Sequence, residues 1–470
     1  MSLHLFSLVI STLGLFSAFN NGNAAVDRNL MAAETHDFHI ITVSSLLPDS
    51  ACGSSSEGPK LPSSSLKVVH RYGACHKQHK SDSAPTPSQI LTHDEARVHS
   101  INSRIIGFDS VGNTFPSTES VTLPANSGLS LGTANYVVNI GLGSPRKDLS
   151  LAFDTGSSLP WTQCEPCVGL CYKQHDPIFN PSESTSYANV SCNTEMCNQL
   201  NIRGCSGTTC LYGIRYADKS LTIGYLAKDT LTLSHTEIIP DFYFGCGQQY
   251  EGYFGQIAGI VGLGKDKFSI ISQTSMKYGK IFSYCLPSTS SKPGYLTFGK
   301  SEISKAIQYI PLANSKEFYF IDITAIYVGG QKLPISPTVF STYGSIIDSG
   351  TVITRLSSEA YTALRNTFRQ QMSMYPMGQP SRTLDTCYDF SKYTVMKIPT
   401  ISIVFSGNTK IDLDSTGILY GFSSSQVCLA FATNTGITNL TILGNVQQKT
   451  MQVVYDVAGG KLGFGPNGCA

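Results

Sequence analysis

A chain of 470 residues is too long for a single ordinary core, which sets the expectation at two or three domains. Hydrophobic residues make up 41% and charged residues only 14%, against roughly 25% charged in typical globular chains, so abundant Ser, Thr and Gly point to turn-rich β structure. A net charge of +1 supplies no bulk field for nucleic acid or an anionic membrane.

The first element is an apolar run from Leu5 to Phe19, followed by Gly22-Asn23-Ala24-Ala25. It is short for a membrane span but fits the core of a secretory signal over residues 1–25, with cleavage near Ala24 or Ala25. A transit peptide fits less well, because such segments are Arg-rich and the first arginine is Arg28. No later stretch approaches the ~20 apolar residues of a spanning helix, so the expectation is a secreted chain without a membrane anchor, extracellular or apoplastic, with vacuole or plastid as alternatives. Fourteen cysteines then gain meaning: Cys52 and Cys75 lie early, and the even dozen from Cys164 onward reads as six disulfides.

Residues 26–130 read as a prosegment. Ser-rich, Pro-dotted stretches alternate with short basic or helical pieces, among them Lys67 to Lys80 and Asp94 to Arg104, and little of this could bury a core. The basic run Lys67, His70, Arg71, His76, Lys77, His79 and Lys80 is expected to sit over acidic groups of the enzyme until falling pH protonates them, a reading preferred to a nucleic-acid patch.

From Asn135 short alternating runs broken by glycine begin. Strands are expected at Tyr136 to Ile140, Leu149 to Phe153, Thr230 to Leu233, Tyr243 to Cys246, Tyr295 to Phe298, Phe318 to Val328 and Ile398 to Phe405. The clearest helix is Ser357 to Met372, with Ser357 as N-cap and Glu359 in its first turn. A Cys-rich insert, residues 164–210, holds Cys164, Cys167, Cys171, Cys192, Cys197, Cys205 and Cys210; zinc held by Cys164, Cys167, Cys171 and His175 is the weaker alternative in an oxidising compartment. Asn189-Val190-Ser191 and Asn439-Leu440-Thr441 are glycosylation acceptors.

Two stretches say nearly the same thing: Ala152-Phe153-Asp154-Thr155-Gly156-Ser157 and Ile346-Ile347-Asp348-Ser349-Gly350-Thr351. One Asp-Thr-Gly alone is an ordinary strand-to-turn signal. Two copies, followed at comparable distances by Ile260-Val261-Gly262 and Ile442-Leu443-Gly444, read as an internal duplication of a whole lobe. Two carboxylates held ~3 Å apart cannot both ionise and share one proton, so one can draw a proton from water while the other donates to a peptide carbonyl. The glycines allow close backbone approach, and Ser157 and Thr351 are expected to bond the outer carboxylate oxygens.

Phe153 to Cys167 (FDTGSSLPWTQCEPC), the Cys-rich insert, Ile346 to Leu356 (IIDSGTVITRL) and Ile442 to Val457 (ILGNVQQKTMQVVYDV) resemble a pepsin-type aspartic protease, and more closely its plant nepenthesin-like branch. The resemblance covers about 134–470. It implies an all-β, bilobal double-barrel fold with a few short helices, with lobes at 131–315 and 316–470. It implies an aspartic endopeptidase made as a secreted zymogen and acting as a monomer on proteins or peptides, without cofactor, metal or nucleic acid. Asp154 and Asp348 become the dyad, supported by Thr155, Gly156, Ser157, Ser349, Gly350 and Thr351. Trp161, the only tryptophan, should donate to the flap tyrosine Tyr216, beside Asp218 and Lys219.

The branch also implies the pairing Cys164–Cys167, Cys171–Cys246, Cys192–Cys210, Cys197–Cys205, Cys285–Cys469 and Cys387–Cys428. Ala217 and Lys219 stand where it usually has flap glycines, and Lys219 would place a cation over the cleft. The competing reading is an inactive peptide-binding or DNA-associated protein on the same scaffold. Gly128 to Gly132 and Gly259 to Asp266 mimic a serine-hydrolase elbow and a phosphate loop, but lack a following helix and a magnesium-binding hydroxyl respectively.

Overall fold

The computed structural model describes residues 37–47, 51–53, 62–76, 85–106, 135–169, 171–216, 220–252, 254–300, 306–315, 317–436 and 438–469. The signal, Lys77, His79, Lys80, Asp218 and Lys219 lie outside the described residues, as does the Gly128 to Gly132 stretch.

Strands dominate, as the composition predicts. The alternating pattern of Tyr136–Leu142 and Lys147–Asp154 forms an antiparallel pair, with Val137 opposite Ala152, around a turn whose Gly143 has φ +86°. Two expected long strands are each split: Phe318 to Val328 becomes Tyr319–Ile321 and Ile323–Val328, and Ile398 to Phe405 becomes Val395–Pro399 and Ile401–Phe405. The largest sheet has 15 strands and joins strands of both halves of the chain. The helix Ser358–Gln371 forms where expected: the Ser357 side chain accepts from Ala360 N, and Ala360, Leu364 and Phe368 point inward at helical spacing.

The duplication is visible in the strand pairing. Gly259–Gly262 runs parallel to the strand ending in Asp154, and Thr441–Leu443 runs parallel to Ser345–Ile347 before Asp348. Ile260 is also antiparallel to Trp161, as Ile442 is to Arg355. Each half therefore wedges its Asp-bearing strand against its apolar-apolar-glycine strand.

The described residues before 107, expected to bury little, correct that expectation: they bury apolar side chains against the rest of the chain. Ser65–His70 lies between strands Gly294–Phe298 and Tyr136–Leu142, with Leu66 and Val68 inside. Phe38–Thr42 pairs with Val395–Pro399. Helix Pro87–Ile105 opens on a capping box between Thr86 and Gln89 and buries Ile90, Leu91, Val98 and Ile101. Local polarity hid this, because each piece borrows its core from the domain it covers.

The disulfides correct another. Cys285–Cys469 and Cys387–Cys428 pair as expected, but the others are Cys164–Cys246, Cys167–Cys171, Cys192–Cys205 and Cys197–Cys210, with Cys52–Cys75 in the N-terminal segment. Parallel pairing of Trp161–Gln163 with Ile238–Glu251 brings Cys164 beside Cys246, leaving Cys167 to close a small loop with Cys171. Cys205 and Cys210 face each other across a hairpin, and each reaches outward to a different partner. With these thiols oxidised, the zinc alternative is overturned.

Candidate active site

Asp154 ends its strand and Asp348 directly follows its own, and the two are buried to 1% and 0% exposure. Reciprocal hydrogen bonds tie the two loops together: Thr155 N donates to Ser349 Oγ at 3.1 Å, and Ser349 N donates to Thr155 Oγ1 at 2.9 Å. The hydroxyl after each aspartate is thus spent on the opposite loop, a role that the sequence reading left unassigned. Gly156 N and Gly350 N donate to the carboxylate oxygens of Asp154 and Asp348.

The glycines are required by space. A Cβ on Gly350 would lie 2.5 Å from Asp154 Oδ1, and one on Gly156 would lie 2.8 Å from Asp348 Oδ1. Each loop therefore presses its bare backbone against the other loop's carboxylate.

The outer hydroxyls differ. Thr351 Oγ1 donates to Asp348 Oδ2 at 2.5 Å, as expected, whereas Ser157 Oγ is buried without a hydrogen-bond partner among the described residues. The expectation for Ser157 is corrected, and both Asp154 oxygens accept from Arg97 instead. Arg97, on the helix Pro87–Ile105, spans both carboxylates: Nη2 donates to Asp154 Oδ1 at 2.6 Å and Asp348 Oδ1 at 2.8 Å, Nε to Asp348 Oδ2 at 2.8 Å, and Nη1 to Asp154 Oδ2 at 3.3 Å. A guanidinium presents several donors in a planar fork, so one side chain saturates two carboxylates.

Burial raises the Asp348 carboxyl, but the Arg97 charge and hydrogen bond, with help from Thr351 and Gly350, outweigh it and hold the group below its ordinary value. Burial opposes the Arg97 charge in turn, but Asp154 and Asp348 overcome that and make its proton harder to remove.

Among the described residues the cation at the carboxylates is Arg97, not Lys67, His70, Arg71 or His76 of the basic run. His70 is buried in its strand, where burial, aided by Lys449, Arg71 and His76, pushes it down to about 3, and Arg71 Nη2 donates to the Phe254 carbonyl. Arg97 lay within the helical piece noted from sequence. Its signal was an Asp94-x-x-Arg97 spacing that puts both side chains on one helical face, without indicating where that face would dock.

The remaining site residues fall as follows. Trp161 Nε1 donates to Tyr216 OH at 2.6 Å, and Tyr216 stands at the end of the hairpin formed by Thr209–Arg215 and Leu221–Thr232. Asn189 and Asn439 are exposed, as glycan acceptors must be. Asn445 Nδ2 and Gln448 Nε2 brace the carbonyls of Ser349 and Asp348 from below, a support missed in the sequence although it lies inside the motif Ile442 to Val457.

Comparison with known proteins agrees with this geometry. The family models described as xylanase inhibitor N-terminal and C-terminal match residues 136–300 and 318–466. An aspartyl protease family protein of Arabidopsis thaliana is 49% identical, over 92% of this chain and 94% of its own. The chain belongs to the plant pepsin-like aspartic protease family. Aspartic proteinase nepenthesin-2 of Nepenthes gracilis is 35% identical, over 72% of this chain and 78% of its own. Conglutin gamma from lupine seeds shares the fold at a TM-score of 0.58 and 20% identity, over 72% of this chain and 93% of that one. Like its protease relatives, this family member is an aspartic endopeptidase acting on proteins. Among the described residues no helix is long and apolar enough to cross a membrane.

Proposed function

We propose that Asp154 and Asp348 are the catalytic pair of this endopeptidase and that the chain is a secreted zymogen held shut by Arg97. The supporting observation is the Arg97 guanidinium bonded to both carboxylates, in the place where a hydrolytic water and a scissile carbonyl must sit. With the helix displaced, the two carboxyl groups share one proton. The ionised one takes a proton from water, the water oxygen attacks the peptide carbonyl carbon, and the protonated one donates to the carbonyl oxygen. Collapse of the tetrahedral species returns a proton to the leaving nitrogen and breaks the C–N bond. The crossed Thr155 and Ser349 bonds keep both groups positioned throughout.

Acid drives the opening. Docking of Arg97 depresses Asp348, so the stabilisation it gives is present above the ordinary carboxylate range near ~4 and is lost as pH falls through and below it. Cleavage between 105 and 133 would then release the helix, and the exposed Asn189 and Asn439 would carry glycans on the secretory route. Acid-treated chain should cleave peptides in a pepstatin-sensitive manner, and Asp154→Asn or Asp348→Asn should abolish this. Undiminished cleavage by either variant would refute the assignment. Salt-dependent DNA binding by inert wild-type protein would instead support the non-enzymatic reading.

A further inference from the structure

One turn before Arg97, the same helix fills a second site. Asp94 is fully buried: its Oδ1 accepts from Val352 N at 2.6 Å, and its Oδ2 accepts from Ile353 N at 3.2 Å and Arg355 Nη2 at 3.0 Å. Glu95 lies beside it, accepting from the Thr435 and Thr383 hydroxyls and reaching to 3.8 Å of Arg355 Nη1. Arg355 itself is 0% exposed, and its Nε and Nη1 find no hydrogen-bond partner among the described residues. A guanidinium keeps its charge. Among the described residues its ion pairs are with Asp94 and Glu95, both on the segment that must leave for activity.

The position of Arg355 ties this site to the substrate cleft. Arg355 follows Asp348 as Trp161 follows Asp154, seven residues later in each copy, and both face the equivalent isoleucine of the paired strand. In the first half that position holds the indole that bonds Tyr216 at the hairpin tip. In the second it holds a buried cation, next to backbone donors that begin one residue after Thr351.

We propose that, once the helix has gone, Val352 N–H, Ile353 N–H and the Arg355 guanidinium form a subsite for an acidic substrate side chain, for which Asp94 is the built-in stand-in. Departure of the helix strips a buried cation of its anions and exposes two backbone donors, which is costly unless another carboxylate replaces them. Asp94 and Arg97 lie three residues apart on the helix, a rise of about 4.5 Å. An extended peptide covers that in about one to two residues at ~3.3 Å each, so the acidic residue belongs about one to two positions from the scissile bond. Charge-assisted bonding with two or three donors makes the site selective for a carboxylate over its amide isostere.

This inference rests on the reading of Asp154 and Asp348 as the catalytic pair, and its test separates the two. Activated wild-type enzyme is given matched peptides carrying Asp or Asn, and Glu or Gln, at each position within three residues of the scissile bond. The expected result, near pH 5.5, is about a tenfold or greater kcat/KM advantage for the acid at one position. That advantage should shrink near pH 3, where the substrate carboxyl is protonated. Arg355→Gln should bring the acid-to-amide ratio within about twofold, whatever its absolute rate. Should that variant not fold, a peptide spanning residues 85–106 provides the second measurement. As an inhibitor of activated wild type it should lose at least tenfold in affinity on Asp94→Asn. Peptides cleaved without any acid preference, or equal inhibition by both prosegment peptides, would overturn the subsite while leaving the catalytic pair intact. Failure to cleave any peptide would instead overturn the catalytic assignment on which it stands.

Discussion

The two Asp-bearing loops share one plan of strand pairing and do different work. The first loop delivers Asp154, leaves Ser157 Oγ unbonded and places Trp161 against Tyr216. The second delivers Asp348, bonds it through Thr351 and places Arg355 against Asp94. What stayed the same is what a shared carboxylate pair requires: strand pairing, a bare glycine and a hydroxyl crossing to the other loop. What diverged is the ground around the pair, aromatic on one side and cationic on the other. Duplication thus preserved the chemistry and left the flanks to specialise.

Breaking the symmetric part should have the largest effects. Asp154→Asn and Asp348→Asn should each lower kcat by about 10³-fold or more, since either change removes a proton-transfer partner; steady-state kinetics on a neutral peptide measures this. Gly350→Ala should cost several kcal/mol in stability, because the new Cβ would meet Asp154 Oδ1 at 2.5 Å and Arg97 at 2.3 Å. Gly156→Ala should behave comparably, meeting Asp348 Oδ1 at 2.8 Å; urea unfolding would show both. A well-tolerated alanine at either position would mean that the loops do not press together as described.

The asymmetric part should yield smaller and unequal effects. Thr351→Val removes a 2.5 Å bond that favours the ionised Asp348, so the acid limb of the pH–rate profile should move upward and the rate should fall about tenfold. Ser157→Ala should change the rate of self-activation less than twofold, because its hydroxyl holds neither carboxylate while Arg97 is in place. Self-activation slowed as much by Ser157→Ala as by Thr351→Val would erase the distinction between the loops.

Much of the symmetric part was legible in the sequence. Asp-Thr-Gly and Asp-Ser-Gly with their later apolar-apolar-glycine echoes announced paired lobes, because strand pairing and close backbone approach leave marks in residue type. Trp161 and Tyr216 were legible only through family resemblance. The burial of the segment before residue 107 was not legible, because its helix and strands bury apolar residues against distant parts of the chain, a context that local composition does not carry. The crossing of Cys164 to Cys246 escaped for a similar reason: it follows from a parallel strand pairing between distant segments. Arg97 lay in plain view, but only the docked helix brings its guanidinium to the carboxylates.

The most direct test concerns that guanidinium. Breaking a buried ion pair by removing one partner costs about 3–5 kcal/mol, so Arg97→Ala should loosen the helix strongly while the carboxylates remain. Pepstatin binding to the uncleaved chain at about pH 5, above the depressed Asp348 value, reads this by calorimetry. Wild type should bind at least a hundredfold more weakly than Arg97→Ala, and adding Asp154→Asn to the latter should abolish the gain. Equal binding by wild type and Arg97→Ala would contradict a site held shut by this residue.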